Sequence, residues 1–107
     1  MGVTGDKLTN DSGLAATLLV EKIQSIGGIS SKKMFGGYGI FHDGRMFGMV
    51  DSKGQYFLKS DDTTKALFEE AGATRHGKMP YYSIPAVVFD ATTQLLIWVQ
   101  KAIHISK

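Results

Sequence analysis

Residues 34–50, MFGGYGIFHDGRMFGMV, decide the fold of this chain. They place five glycines among bulky apolar and aromatic residues, a composition found both in phosphate-binding loops and in closely packed strands. Asp43-Gly44 lies between two apolar runs, and a type I′ turn needs positive φ at both of its central residues. The segment therefore predicts an antiparallel hairpin. Gly48 inside the second strand predicts a bulge or a large side chain crossing above it, and Gly36, Gly37 and Gly39 predict a kinked strand entry.

Known ligand-binding glycine motifs fit these residues poorly. Gly37-x-Gly39-x-x-His42 lacks the third glycine of the dinucleotide fingerprint, and it precedes a hairpin where that fingerprint needs a helix. The sequence contains no Gly-Lys-Ser/Thr for a Walker loop. We interpret the glycines as structural, and we expect no cofactor.

The segment before the hairpin predicts a helix over residues 13–26, with Ser12 as its N-cap and Gly27-Gly28 at its end. Apolar residues recur there at helical spacing, and the expected apolar face is Leu14, Ala15, Leu18, Leu19, Ile23 and Ile26. After the hairpin, residues 51–54 predict a second turn and residues 55–59 a third strand. The three strands together predict an antiparallel meander.

The second half of the sequence predicts two more helices. Ser60-Asp61-Asp62 favours a helix start, because negative charge is stabilised near the helix N-terminus, and Gly72 ends that helix. Its expected apolar stripe is Leu67, Phe68 and Ala71. Residues 75–88 hold both prolines and predict short edge strands. Asp90 then caps a last helix to about residue 104, with Trp98 in the core and a buried face of Leu95, Leu96, Val99, Ala102 and Ile103.

These elements predict an α+β fold of two layers, an antiparallel sheet packed by helices in the order α-β(3)-α-β(2)-α. Residues 12–107 are expected to form a single domain, and residues 1–11 a flexible lead-in. The 107 residues carry a net charge of +2 and no cysteine, which excludes a disulfide framework or a thiolate metal site. We expect a cytoplasmic protein, because the sequence shows neither a signal-peptide pattern nor an apolar run long enough for a membrane span.

Catalytic patterns are weak. His42 beside Asp43 would suit a base with an orienting carboxylate. No serine or threonine nucleophile is visibly placed for it in the sequence, although folding could bring Ser83 near. Such a pair would serve a small hydrolase. Ser30-x-x-Lys33 matches a serine–lysine pattern without its partner motifs. The histidines are scattered over separate elements, so we expect neither an enzyme nor a metal site.

Basic residues alternate with tyrosines in two regions and define a candidate interaction surface. Phosphate contacts and base stacking by such residues would bind nucleic acid. In the alternative interpretation, which we favour, the basic residues line a solvated sheet edge and discourage its pairing with other strands, while the tyrosine rings pack against the protein. The candidate residues are Lys32, Lys33, Tyr38, Arg75, Lys78, Tyr81 and Tyr82.

Four blocks of the sequence together resemble the N-terminal domain of the TfoX/Sxy family, bacterial regulators of natural competence. The blocks are KMFGGYGIFHDGRMFGMV, FLKSD, MPYYSIP and LLIWVQKA, and they span about residues 31–102 in the expected order. The family's motif positions fall on Met34, Phe35, Gly36, Gly37, Gly39, Asp43, Gly44, Met46, Phe47 and Gly48, followed by Lys59, Asp61, Tyr81, Pro85 and Trp98.

This resemblance implies a fold similar to secretion chaperones and a role in switching on DNA-uptake genes. It also implies a protein partner, the transcription machinery or the cyclic-AMP receptor protein, and by analogy with those chaperones a homodimer. Full-length members carry a second, helical domain, so we expect these 107 residues to correspond to the first domain alone. The family tends to place tyrosine where Phe57 stands.

Overall fold

The computed structural model describes residues 11–34 and 36–106. Within them, helices pack against an antiparallel sheet, so the α+β class predicted from the sequence is confirmed. The elements are α1 (Asp11–Ile23), a 3-10 turn (Gln24–Ile26), β1 (Ile29–Met34), β2 (Gly37–His42), β3 (Arg45–Val50), β4 (Tyr56–Lys59), α2 (Lys65–Glu70), β5 (Tyr81–Ser83), α3 (Ala86–Asp90) and α4 (Thr92–Ser106).

The sheet is a meander in which neighbours along the chain are neighbours in space, in the order β1-β2-β3-β4-β5. Its central hairpin turns at Asp43 and Gly44, whose φ angles are 50° and 85°, while His42 pairs with Arg45. Positive φ at both residues is what a type I′ turn requires, so the predicted hairpin is confirmed.

A β-bulge interrupts the central hairpin. Ile40 pairs with Gly48 but Phe41 pairs with Met46, which leaves Phe47 as an extra residue on β3. Phe47 and Gly48 are consequently both buried. A Cβ on Gly48 would lie 3.0 Å from the Phe57 carbonyl oxygen and 3.3 Å from Leu58 Cδ2. The glycine thus serves both predicted purposes, a bulge and a close approach of neighbouring atoms.

The helices form the second layer. Helix α1 packs on β1 and β2, α4 packs on β3 and β4, and both contact the sheet face that carries Ile40 and Leu58. Trp98 of α4 is 1% exposed and stacks on Phe68 of α2, with ring centroids 4.5 Å apart. The buried face predicted for the last helix is confirmed: Leu95, Val99, Ala102 and Ile103 are buried and Leu96 packs beside them.

The order of the elements differs from the prediction. No strand was predicted where β1 forms, because Ser, Lys and Lys in ISSKKM give no apolar alternation. Gly36, with φ of 76°, lies in the connection between β1 and β2 and is not a kink in a strand. Residues 75–88 form one strand, β5, and the start of α3 instead of two strands.

The helices α2 and α4 differ from the prediction in detail. Asp90 is the last residue of α3 and does not cap α4, which begins at Thr92. In the stripe predicted for α2 only Phe68 is buried, whereas Leu67 and Ala71 are exposed.

Two details of the prediction for α1 are also wrong. Ser12 lies inside α1, which already includes Asp11, so it is not an N-cap. Leu14 and Leu18 are 60% and 45% exposed, because the buried stripe of α1 follows Ala16, Leu19 and Ile23.

Asp61 stabilises the turn that precedes α2, about one helical turn before the helix itself begins. Asp61 Oδ1 accepts hydrogen bonds from Thr63 N at 2.9 Å, Thr63 Oγ1 at 2.5 Å and Thr64 N at 3.2 Å. The Thr63 hydroxyl is the main cause that lowers the pKa of Asp61. Helix α2 itself begins only at Lys65, and Gly72, with φ of 92°, follows its end.

Some predictions fall outside the described residues. These are residues 1–10 of the flexible lead-in predicted over residues 1–11, the motif residue Phe35 and the terminal Lys107. The prediction is wrong for Asp11, which lies in α1. None of the helices in the described ranges combines the length and the apolarity that a membrane crossing requires.

Candidate functional site

The two lysines of the candidate surface lie on the edge strand β1. Residues directly opposite one another in an antiparallel pair point to the same face of the sheet. Lys32 is opposite Gly39, and Lys33 is opposite Tyr38, which packs against the core. We define the open face as the sheet face opposite the helices. The side chain of Lys32 therefore points to the open face, and the side chain of Lys33 points to the helix face. The two lysines are adjacent in sequence, but their side chains lie on opposite faces of the sheet.

Arg75 lies beyond the opposite end of the sheet. Its backbone bridges to Tyr82 on the side of β5 away from β4, so it lies at the opposite end of the strand order from β1. Its guanidinium donates hydrogen bonds from Nε to the Met79 carbonyl at 3.2 Å and from Nη2 to the Lys78 carbonyl at 2.9 Å. Arg75 thereby holds the loop of residues 75–79 closed, and it does not join the lysines of β1 in a basic stripe.

The three tyrosines pack instead of presenting open rings. Tyr81 and Tyr82 are buried, and the Tyr82 hydroxyl donates a 2.6 Å hydrogen bond to Glu69 Oε2. That bond is the main cause that raises the pKa of Tyr82 above its ordinary value. Tyr38 lies partly buried against α1, where a Cβ on Gly13 would be 3.3 Å from its hydroxyl oxygen. The buried rings of Tyr81 and Tyr82 are not available to stack on nucleotide bases, whereas Tyr38 is only partly buried.

The candidate catalytic groups do not assemble. His42 Nδ1 lies 3.7 Å from Asp43 Oδ2 at the tip of the β2–β3 hairpin. Ser83 lies on β5, with β3 and β4 between it and the strand of His42, and its hydroxyl accepts a 2.9 Å hydrogen bond from Thr74 N. Ser30 and Lys33 are three positions apart on one strand and therefore point to opposite faces. No three His, Asp or Glu side chains within the described ranges cluster as metal ligands do.

A feature that the sequence analysis missed occupies the open face. Every methionine in the described part of the chain lies there, lining a groove of about 540 Å³ together with His76 and Asp51. We call it the methionine groove, and its methionines are Met34, Met46, Met49 and Met79. The sequence carried one usable signal: Met46, Met49 and Met79 fall in segments that were predicted as strands, and Met34 immediately precedes one.

Strand β2 forms part of the floor of the methionine groove. A Cβ on Gly39 would lie 2.6 Å from Met34 Sδ and 3.1 Å from Met46 Sδ, so the two thioethers converge above a residue without a side chain. The loop of residues 75–79 forms one wall. His76 in this loop contacts Phe57 edge to face, with centroids 4.5 Å apart, and Phe57 is only 5% exposed. The groove is therefore mainly apolar, and the polar residues that line it are Tyr38, Asp51, Ser52 and His76.

Comparison with known proteins gives two matches. The sequence profile of the TfoX N-terminal domain matches residues 21–105. The DNA transformation protein TfoX1 of Aliivibrio fischeri (strain ATCC 700601 / ES114) is 30% identical over 73 residues. That alignment covers 68% of this chain and 34% of the relative, so the chain spans about a third of that protein's length.

Proposed function

Because the chain belongs to the TfoX N-terminal domain family, we propose that it is a non-catalytic protein-interaction domain of a TfoX/Sxy-type regulator of natural competence. The single observation that carries this proposal is the family match over residues 21–105. The name of the relative, a DNA transformation protein, agrees with it. In this role the domain supports transcription of DNA-uptake genes by contacting another protein in the cytoplasm.

The use of the motif residues supports a structural and binding role over a catalytic one. Asp43 and Gly44 form the hairpin turn, and Gly48 admits the Phe57 carbonyl. Gly37 lies so close to the β3 backbone that a Cβ would overlap the Val50 carbonyl oxygen. These residues of the family motif shape the sheet, and the sheet in turn presents the open face.

The partner that we propose is a transcription complex containing RNA polymerase or the cyclic-AMP receptor protein. This partner comes from the family resemblance, and the two thirds of the relative that lie outside the alignment could contribute to the same contact. A homodimer like that of secretion chaperones stays a prediction. Size-exclusion chromatography over a concentration series would contradict it if only monomer is seen at high micromolar protein.

Affinity capture tests the proposed function directly. The tagged chain is used to capture proteins from a lysate of the native bacterium grown under competence-inducing conditions, and mass spectrometry compares the capture with that of the tag alone. We expect enrichment of polymerase subunits or of the cyclic-AMP receptor protein. Capture indistinguishable from the tag alone, by a chain shown to be folded by circular dichroism, would reject the proposal.

A further inference from the structure

The methionine groove is an apolar surface that no described helix covers. Both long helices pack on the other face of the sheet, and Met79 on the loop wall is 43% exposed. Exposed apolar patches of this kind on small proteins mark surfaces that bind other molecules. The groove is thus the first place at which to look for the partner.

The groove is lined by side chains that can rearrange. Methionine has three rotatable bonds and a polarisable thioether, so it adapts to partners of irregular shape. Met34 and Met46 cover Gly39 with only their flexible ends, and both ends can swing aside without moving the backbone. This arrangement suits aliphatic or aromatic side chains that enter from a partner.

The charges around the groove are mostly positive. Lys32 leaves from the open face opposite Gly39, Lys78 is adjacent to Met79, and Lys53 is adjacent to Ser52, which lines the groove. None of these lysines forms an ion pair with a residue in the described ranges.

Asp51 is the one carboxylate among the described residues that line the groove, and it is already hydrogen-bonded. Asp51 Oδ1 accepts hydrogen bonds from Lys53 N and Gln55 N, each at 2.9 Å, and these bonds hold the β3–β4 turn. The border of the groove therefore favours a negatively charged partner.

We propose that the methionine groove binds an acidic amphipathic segment of a partner protein. Apolar side chains of that segment pack between Met34, Met46 and Met49, and its carboxylates lie at Lys32 and Lys78. A second copy of this face is a poorer occupant, because it would bring lysine borders together, and like charges across an interface are unfavourable. The proposal rests on the proposed function in that it names the surface and the chemistry of the same protein contact.

Peptide selection followed by a matched pair of charge reversals tests this surface. A displayed library of random twelve-residue peptides is selected on the full chain, and the enriched peptides are synthesised with a fluorescein label for anisotropy titration. We expect enriched sequences that combine Leu, Ile or Phe with Asp or Glu. Selection of basic peptides, of peptides without acidic residues or of none at all would overturn the proposal.

The charge reversals distinguish the groove from general electrostatic attraction. Lys32→Glu and Lys33→Glu make the same change on adjacent exposed residues, but only Lys32 faces the groove. We expect Lys32→Glu to weaken peptide binding about tenfold and Lys33→Glu to change it less than about twofold. Equal losses in two variants that are both folded would reject the groove as the site.

Methionine methyl resonances report occupancy independently of any substitution. In protein labelled with 13C at the methionine methyl groups, the peptide should shift the signals of Met34, Met46 and Met49. Unchanged signals at saturating peptide would place binding elsewhere. Shifts that instead follow the concentration of the protein alone would identify a second copy as the occupant and overturn the acidic partner.

The outcomes separate this inference from the proposed function. If wild type and Lys32→Glu capture the same transcription proteins from lysate, the groove assignment fails while the regulator function stands. If acidic peptides bind the groove but no transcription protein is captured by wild type, the regulator function fails while the groove assignment stands.

Discussion

Two glycines on one strand allow a matched test of how the sheet is packed. Gly37 and Gly39 both lie on β2, both are buried, and neither has the left-handed φ that would penalise a side chain. Substitution of each by alanine adds the same methyl group to the same strand. What differs is the atom that the methyl group would meet.

Gly37→Ala should be clearly destabilising. Its Cβ would overlap the Val50 carbonyl oxygen and lie 3.1 Å from the Cα and carbonyl carbon of Asp51. Those are backbone atoms, and Asp51 N is itself hydrogen-bonded to the Gln55 carbonyl at 3.0 Å. Forced backbone shifts cost about 1–3 kcal/mol, and the stiffer unfolded chain returns about 0.4–1 kcal/mol. Because the overlap is with backbone atoms, the cost lies at the upper end of this range, and we expect a net loss of about 2 kcal/mol.

Gly39→Ala should be nearly neutral. Its Cβ would meet the Met34 and Met46 sulfurs, which are the far ends of flexible side chains, and the ring edge of Phe41 at 3.0 Å. Moving these groups costs about 0.5–1 kcal/mol, which the gain from a stiffer unfolded chain offsets. The net change in the free energy of unfolding should lie within about 0.5 kcal/mol of zero.

Urea denaturation followed by tryptophan fluorescence measures both changes. Trp98 is the only tryptophan and is 1% exposed, so its emission reports loss of the core. A domain of this size shifts its Tm by about 4–8 °C per kcal/mol, so Gly37→Ala should unfold roughly 8–16 °C below wild type. Similar losses for the two variants, or a larger loss for Gly39→Ala, would show that backbone contact at Gly37 is not what requires glycine.

Two further changes test the hairpin and the buried tyrosine. Asp43→Val should lower the free energy of unfolding by about 1–2 kcal/mol, because a β-branched residue is strained at the φ of 50°. Asparagine tolerates this φ, so Asp43→Asn should have the same urea midpoint as wild type. Tyr82 has a raised pKa because its hydroxyl is bonded to Glu69, so its contribution to stability holds below about pH 10 and is lost as pH rises through the folded-state pKa. Tyr82→Phe should therefore make the alkaline fall in urea midpoint shallower, and an unchanged slope would contradict this assignment.

Local residue chemistry was enough to predict several elements. The Asp43-Gly44 pair predicts a type I′ turn without reference to the rest of the chain, because few other residue pairs adopt positive φ twice in succession. The last helix and its buried face follow from apolar residues repeated at helical spacing, which a single amphipathic segment displays without any partner. The α+β class follows from these signals taken in order.

Pairing between segments decided what the sequence analysis missed. The strand β1 has a polar sequence and forms because β2 supplies its hydrogen-bond partners. The residues of the candidate surface do not lie together for the same reason. Lys32 and Lys33 are adjacent in sequence, and their side chains point to opposite faces because residues 29–34 form a strand.

The methionine groove depends on one irregularity of the sheet. Met46 and Met49 are three positions apart, and regular alternation along a strand would put them on opposite faces. The bulge at Phe47 returns both to the open face. Sequence alone determined the turns, the helical faces and the class of fold, because each depends on residues close together along the chain. Only the tertiary structure decided which side chains share a surface, because that depends on strand register.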